Sequence, residues 1–189
     1  MVTIVPLTQL WLPILLSAVV VFVASSVIHM VFTYHRSSYK KLPNEDKIMQ
    51  VMREAGVTPG LYPMPHCANP KEMKSEEMLA KYKAGPVGFI SVIPSGPVNM
   101  GKYLGQWFLF CVGISIFVAY LTGRTVSVGT HYLAVFRIAG TIAFMGYAAS
   151  NVASAIWKGQ AWSVTLKEVF DGLVYGLLTA GVFGWLWPR

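Results

Sequence analysis

Charge is what this sequence has least of. Only 12% of its 189 residues are Asp, Glu, Lys or Arg, against roughly 25% in an ordinary soluble domain. A chain so poor in charge is excluded from being soluble along its whole length. Cysteine is scarce as well. Cys67 falls in a polar stretch and Cys111 in the middle of an apolar one. A disulfide framework is therefore excluded, and neither cysteine stands at zinc or redox spacing. Also missing are a phosphate-cradling glycine loop, a GxSxG elbow, an HExxH helix and a paired-acid constellation. Ser95-Gly96-Pro97 and Thr58-Pro59-Gly60 are turn chemistry. The net charge of +7 does not imply nucleic acid, because no basic stripe interleaves with aromatic platforms. Membrane proteins gather Lys and Arg for topological reasons.

The charge that does occur is confined. Residues 35–102 hold ten of the fifteen Lys and Arg and six of the eight Asp and Glu. Around this insert lie four apolar tracts: Leu7 to Tyr34, Tyr103 to Leu121, Tyr132 to about Ile156, and Leu166 to Trp187. A helix needs roughly 20 apolar residues to cross a bilayer core. The expected fold is an all-α integral membrane protein of four transmembrane helices, with a small mixed α/β cytosolic insert between the first two. Its segments are 1–34 (helix 1), 35–102 (insert) and 103–189 (helices 2–4). The first tract has no preceding Lys or Arg and no small-residue cleavage pattern, so it reads as an uncleaved anchor. Thr165 with Glu168 three residues on fits a capping box at the head of the fourth span.

Arg36, Lys40, Lys41 and Lys102 flank the insert, whereas the opposite side offers Arg124 and Arg189. By the positive-inside rule the insert is cytoplasmic and both termini are periplasmic. Trp11, Trp185 and Trp187 are expected at the outer interface, and Trp107, Trp157 and Trp162 at the inner one. Within the insert, Asn44 is expected to cap a helix running to about Ala55, with Ile48, Val51 and Met52 on one face and Gly56 as its stop. A second helix is expected over Pro70–Ala84, with Gly85 past its end. Val87–Ile93 reads as a strand that pairs with Gly60–Met64. This insert is either a structured loop resting on the membrane or a binding surface.

Small residues recur every four positions in the fourth span, at Gly172, Gly176, Ala180 and Gly184. Gly146, Ser150 and Ser154 repeat the pattern in the third, with Ala139 and Ala143 on a second face. In lipid, such stripes allow close backbone approach. Two uses stay open: internal packing of the last two spans, or docking of another subunit.

Ionisable groups inside spans are functional candidates. Arg137 lies roughly 8 Å deep from one side at 1.5 Å per residue. Asp171 enters from the other side, so on the order of 15 Å separates them in a core of roughly 30 Å. Arg137 is expected to snorkel outward instead. His29, Gln106, Asn151, Ser154, Glu168 and Asp171 share a depth and form a candidate polar cluster. His35, His66 and Cys67 of the insert are candidates to approach it. Such a cluster handles protons or cations. The plainer reading places Glu168 and Lys167 at the headgroups and leaves Asp171 to bond a neighbour. His66 and Cys67 are adjacent, and His29 and His35 are six apart on different helix faces. Neither pair has ligand spacing, so no metal and no cofactor is expected.

The stretches PHC (Pro65–Cys67), GPVGF (Gly85–Phe89) and DGLVYGLLTAGVFGWLWPR at the end resemble bacterial inner-membrane proteins of four predicted spans. The resemblance implies a bacterial inner-membrane setting and no catalytic residues. Three functional expectations follow. The first is a non-catalytic accessory or scaffold subunit that packs through its small-residue faces. The second is a small proton- or cation-linked transporter acting as an oligomer. The third is a membrane enzyme with its site between insert and bundle. The expected partners are the bilayer and either other membrane subunits or further copies of the chain.

Overall fold

The computed structural model of the chain describes residues 4–189. Its elements run α1 (Trp11–Met30), α2 (Glu45–Glu54), β1 (Gly60–Met64), α3 (Glu76–Ala84), β2 (Gly88–Val92), α4 (Met100–Thr125), α5 (Tyr132–Lys158) and α6 (Trp162–Trp185). Short 3-10 turns sit at Leu7–Gln9, Tyr34–Ser38 and Pro70–Lys74. The chain forms two compact units. One holds the residues up to Ser38 together with Asn99–Ala155 and Gln160–Arg189, the other Tyr39–Val98 and Ile156–Gly159.

The first unit is a bundle of the four long helices. α1 packs against both α4 and α6. Ala18, Val21, Cys111, Val118, Val135, Ala139 and Phe183 make its core. Each long helix buries only one stripe. Val23, Leu109, Phe117 and Leu177 point outward and are exposed, which is the arrangement a hydrocarbon surround tolerates. Polar groups bridge the helices. Ser17 Oγ donates to Ser115 Oγ at 2.9 Å, buried between α1 and α4, and Trp107 Nε1 donates to Ser25 Oγ at 2.8 Å. Gly123 is required where the chain ahead of α1 crosses α4. Val5 N–H donates to Gly123 O at 2.9 Å, and a Cβ on Gly123 would come within 2.5 Å of Val5 O.

Three helices, α1, α4 and α5, are long and apolar enough to cross a membrane, which points to membrane association. The sequence expectation was four. α6 is 24 residues long, but Lys167, Glu168 and Asp171 fall in its first three turns and lower its apolarity, so the count supported by length and composition is three.

Further expectations are corrected within the bundle. α6 begins at Trp162, with Ala161 before it and no side-chain cap. Thr165 is thus inside the helix, where its Oγ1 donates to Ala161 O at 3.3 Å, and no capping box forms. Two of the six tryptophans pack into the bundle and are not exposed on its surface. Trp187 is buried and donates to Ser127 O at 2.9 Å. Trp107 is half-buried inside the bundle, because a hydrogen-bonding partner on α1 draws the indole inward.

In the second unit, β1 and β2 pair antiparallel, with Gly60 opposite Val92 and Met64 opposite Gly88. α2 follows Asn44, which adopts a left-handed conformation and makes no side-chain cap. Its apolar positions Ile48 and Val51 are exposed. The single helix expected over Pro70–Ala84 is divided at Ser75. That residue is extended and its Oγ accepts from Met78 N–H at 3.3 Å, so it caps α3 after a 3-10 turn. On α3, Lys81 donates to Glu77 at 2.6 Å and holds that carboxyl below its ordinary range.

Candidate functional site

The residues of interest gather where α1 ends and α6 begins. α1 stops at Met30, and the chain turns back through residues 31–33 into the 3-10 turn at Tyr34–Ser38. This reversal lays two side chains on Asp171, nine residues into α6. The Tyr34 hydroxyl donates to Asp171 Oδ1. His35 Nε2 lies 2.7 Å from Oδ2. Asp171 is 3% exposed and His35 9%, so the carboxylate has given up water and is satisfied by these partners instead. Burial, then the bond to Asp171, pushes the Tyr34 phenol above its ordinary range. It therefore remains a donor.

The turn is fixed from α6. Lys167, one helical turn before Asp171, donates to Tyr34 O at 2.8 Å and Ser37 Oγ at 2.7 Å. Lys167 thereby sets the backbone that presents Tyr34 and His35. His29 completes the group. Its ring stacks on His35 with centroids 4.5 Å apart and planes 11° from parallel. Its Nδ1 is 3.0 Å from Ser25 O, and since a carbonyl only accepts, Nδ1 carries a proton in this bond.

His29, His35 and Asp171 place three potential ligand atoms within 4.8 Å of one another. An imidazole binds a metal in its ring plane at about 2.0–2.1 Å. Two rings stacked face to face share no such point, so the group as folded is a hydrogen-bonded network. A shared ion would require the stack to open.

Beside this network is a cavity of about 310 Å³. Asp171, Glu168, Asn151 and His29 line it, together with Trp107, Phe110, Tyr147 and Tyr175. The Tyr147 and Tyr175 centroids are 5.5 Å apart, and Trp107 stands 6.3 Å and 6.1 Å from them. Tyr147 and Tyr175 are 6% and 4% exposed, yet neither hydroxyl has an oxygen or nitrogen partner. The Tyr147 side chain interacts with the Cys111 thiol and with Tyr175. Glu168 keeps one oxygen uncommitted, because Gln160 bonds only its Oε2, at 2.5 Å.

Of the six residues expected to cluster, His29, Asn151, Glu168 and Asp171 do line one cavity. Gln106 is exposed and Ser154 half-buried, and neither lines it. His35, expected in the insert, belongs to the bundle and touches Asp171. The reading that kept it away from His29 assumed one continuous helix, which the turn at residues 31–33 interrupts. His66 and Cys67 lie in the other unit, with His66 exposed and Cys67 Sγ donating to Asn69 O.

The small-residue positions face neighbouring helices of the same chain. A Cβ on Gly172 would meet Ala148 at 2.9 Å, one on Gly176 the Phe144 backbone at 3.1 Å, and one on Gly184 the Tyr132 ring at 2.6 Å. Ala180 faces Gly140 across the same seam. Gly146 points instead at Ile114 of α4, and Ser150 lines the cavity.

Tyr34, Trp107, Phe110, Tyr147 and Tyr175 went unrecognised in the sequence. A signal for two of them was present. Tyr147 is four residues before Asn151 and Tyr175 four after Asp171, spacings that put both on the polar face of their helices. Comparison of the chain with family models, with curated proteins and with solved structures gives no match.

Proposed function

We propose that the chain is a small integral membrane protein that binds and translocates a cation. In this reading α6 is a fourth span, the polar insert is cytoplasmic, the termini are periplasmic, and the membrane is a bacterial inner membrane. The observation that carries the reading is Asp171. A carboxylate nine residues into a long helix is costly in a bilayer and is retained where it serves a pathway. Here it is buried, held by Tyr34 and His35, and opens with Glu168 on a cavity. Two carboxylates lining one cavity favour a positively charged occupant.

The test is charge displacement across proteoliposomes on a solid-supported membrane, with buffer switched to sodium, zinc or alkylammonium salts at constant ionic strength. At least one cation should give a transient that Asp171→Asn abolishes. Wild-type protein silent to every cation would overturn the reading.

A second reading, an accessory subunit of a membrane complex, draws on Arg137. This residue is exposed on a groove between α5 and α6 beside Phe136, Gly140 and Leu177, and it forms no ion pair among the described residues. A partner helix bearing a carboxylate would satisfy it. Arg137→Leu should then release that partner in a mild-detergent purification.

A further inference from the structure

The turn after α1 gathers three side chains of metal-ligating type that the sequence keeps apart. We propose that His29, His35 and Asp171 bind a divalent transition-metal ion of the zinc class, once the His29 ring turns off its stack. The inference rests on the cation-binding reading above and names the cation.

Convergence of donors is the first ground. One ligand atom from each residue lies within 4.8 Å of the other two. Ligands of a tetrahedral ion stand about 3.4 Å apart, so shifts on the order of 1 Å bring the set onto one ion. His35 Nε2 and Asp171 Oδ2 are 2.7 Å apart. They spread by about 0.7 Å as the ion replaces the hydrogen bond between them. His29 supplies the rest of the motion. It is exposed, whereas His35 and Asp171 are buried, and exposed side chains change rotamer within nanoseconds. Turning gives up the stack on His35 and the bond to Ser25 O, and brings the ring plane toward the ion.

The second ground is the support around the buried ligands. Metal ligands are themselves oriented by hydrogen bonds. The Tyr34 hydroxyl occupies Asp171 Oδ1 and so presents Oδ2 to His35. Lys167 bonds Tyr34 O and Ser37 Oγ, which fixes the turn that carries His35. Two ligands are thus placed before an ion arrives, and only the third has to move.

The third ground is access and donor type. His29 and Asp171 line the cavity of about 310 Å³, which gives an entry path and water for a fourth position. Glu168 lines it too, and Gln160 engages only its Oε2. Two imidazoles with one carboxylate select zinc, nickel or copper over magnesium or calcium, which prefer oxygen ligands. Three protein ligands leave the open coordination position that closed structural sites lack, and an ion held so can leave again.

Isothermal titration of the full chain in an uncharged detergent, with zinc and magnesium chlorides as probes, tests the site. Zinc should bind saturably at one ion per chain, and magnesium should not bind. His29→Phe, which keeps a ring against His35 and offers no ligand nitrogen, should weaken zinc by about tenfold or more. An unchanged melting temperature without metal shows that this variant folds. Asp171→Asn should weaken zinc as well. His66→Ala and His131→Ala, at exposed histidines elsewhere, should leave the affinity unchanged. Zinc-edge X-ray absorption of the loaded protein should show nitrogen and oxygen ligands at about 2.0–2.2 Å.

Zinc affinity that survives His29→Phe, or that falls with His66→Ala or His131→Ala instead, overturns the site. Absence of zinc binding overturns the metal assignment, and a charge transient with another cation then keeps the cation-binding reading. Zinc bound at these residues with no transient from any cation leaves the metal site standing and overturns translocation.

Discussion

His35 Nε2 stands 2.7 Å from Asp171 Oδ2 across 136 residues of sequence, with both side chains buried. The pair closes the bundle where α1 gives way to the 3-10 turn. Among the described residues Asp171 is the only buried acidic side chain, so its partners decide whether that end is ordered. Leaving a buried acceptor without one of its hydrogen-bond partners typically costs about 1–3 kcal/mol, and more when the group is charged. His35→Ala should therefore destabilise the protein by about 3 kcal/mol in SDS-titrated unfolding. Asp171→Asn, which keeps an acceptor for Tyr34, should cost less.

Lys167 acts on this site through the backbone of the turn. Lys167→Met should leave the helices intact and speed amide exchange at residues 34–38, measured by mass spectrometry. Lys167→Arg should restore part of the protection, because a guanidinium still reaches the Tyr34 carbonyl. Equal exchange in all three proteins would rule out the clamp.

Tyr34 gives a pH dependence with a definite sign. Its phenol is raised in the folded state by burial and by Asp171, so the folded protein holds that proton more tightly than the unfolded chain. The resulting stability is fully present below the unfolded value of about 10 and is lost as pH rises beyond it. Between pH 8 and pH 11 the wild-type melting temperature should fall more steeply than that of Tyr34→Phe. Parallel curves would refute the linkage.

The α5–α6 seam predicts which glycines tolerate a side chain. Gly172→Val would press on Ala148, already 2.9 Å from an added Cβ, and overpacking of this kind costs about 1–3 kcal/mol. Gly113→Ala has nothing within 4 Å of its new Cβ, so it should be neutral or stabilising by up to about 1 kcal/mol. If Gly172→Val left monomer stability unchanged and only altered association, the stripe would be an intersubunit surface.

Ser17 and Ser115 should couple weakly. Ser17 Oγ can turn to Ile14 O at 3.1 Å when Ser115 is removed. A double-mutant cycle with alanine should give about 0.6 kcal/mol, the average for hydrogen bonds between membrane helices. A coupling near zero would mean that the intrahelical bond alone is used.

The sequence by itself determined the long helices, the insert between the first and second, and the pairing of Gly60–Met64 with the strand around Gly88–Val92. Apolar run length, proline and glycine punctuation and charge confinement are local properties, and they act wherever the chain finally lies. It also placed Asp171, Glu168, Asn151 and His29 at one depth, because rise per residue along a helix is fixed.

The tertiary structure decided what meets what. Nothing local shows that the chain reverses after Met30 and returns His35 to His29 and Asp171, or that Lys167 holds that reversal in place. Trp107 reads as interfacial from its position near a helix start, and only the structure shows that its indole bonds Ser25 on another helix. The same limit applies to α6. Its charges lower its apolarity as a span, and only their partners across the bundle account for a buried carboxylate there. Helix rotation and the contacts between distant segments are set by packing energies summed over the whole bundle, which no stretch of sequence contains.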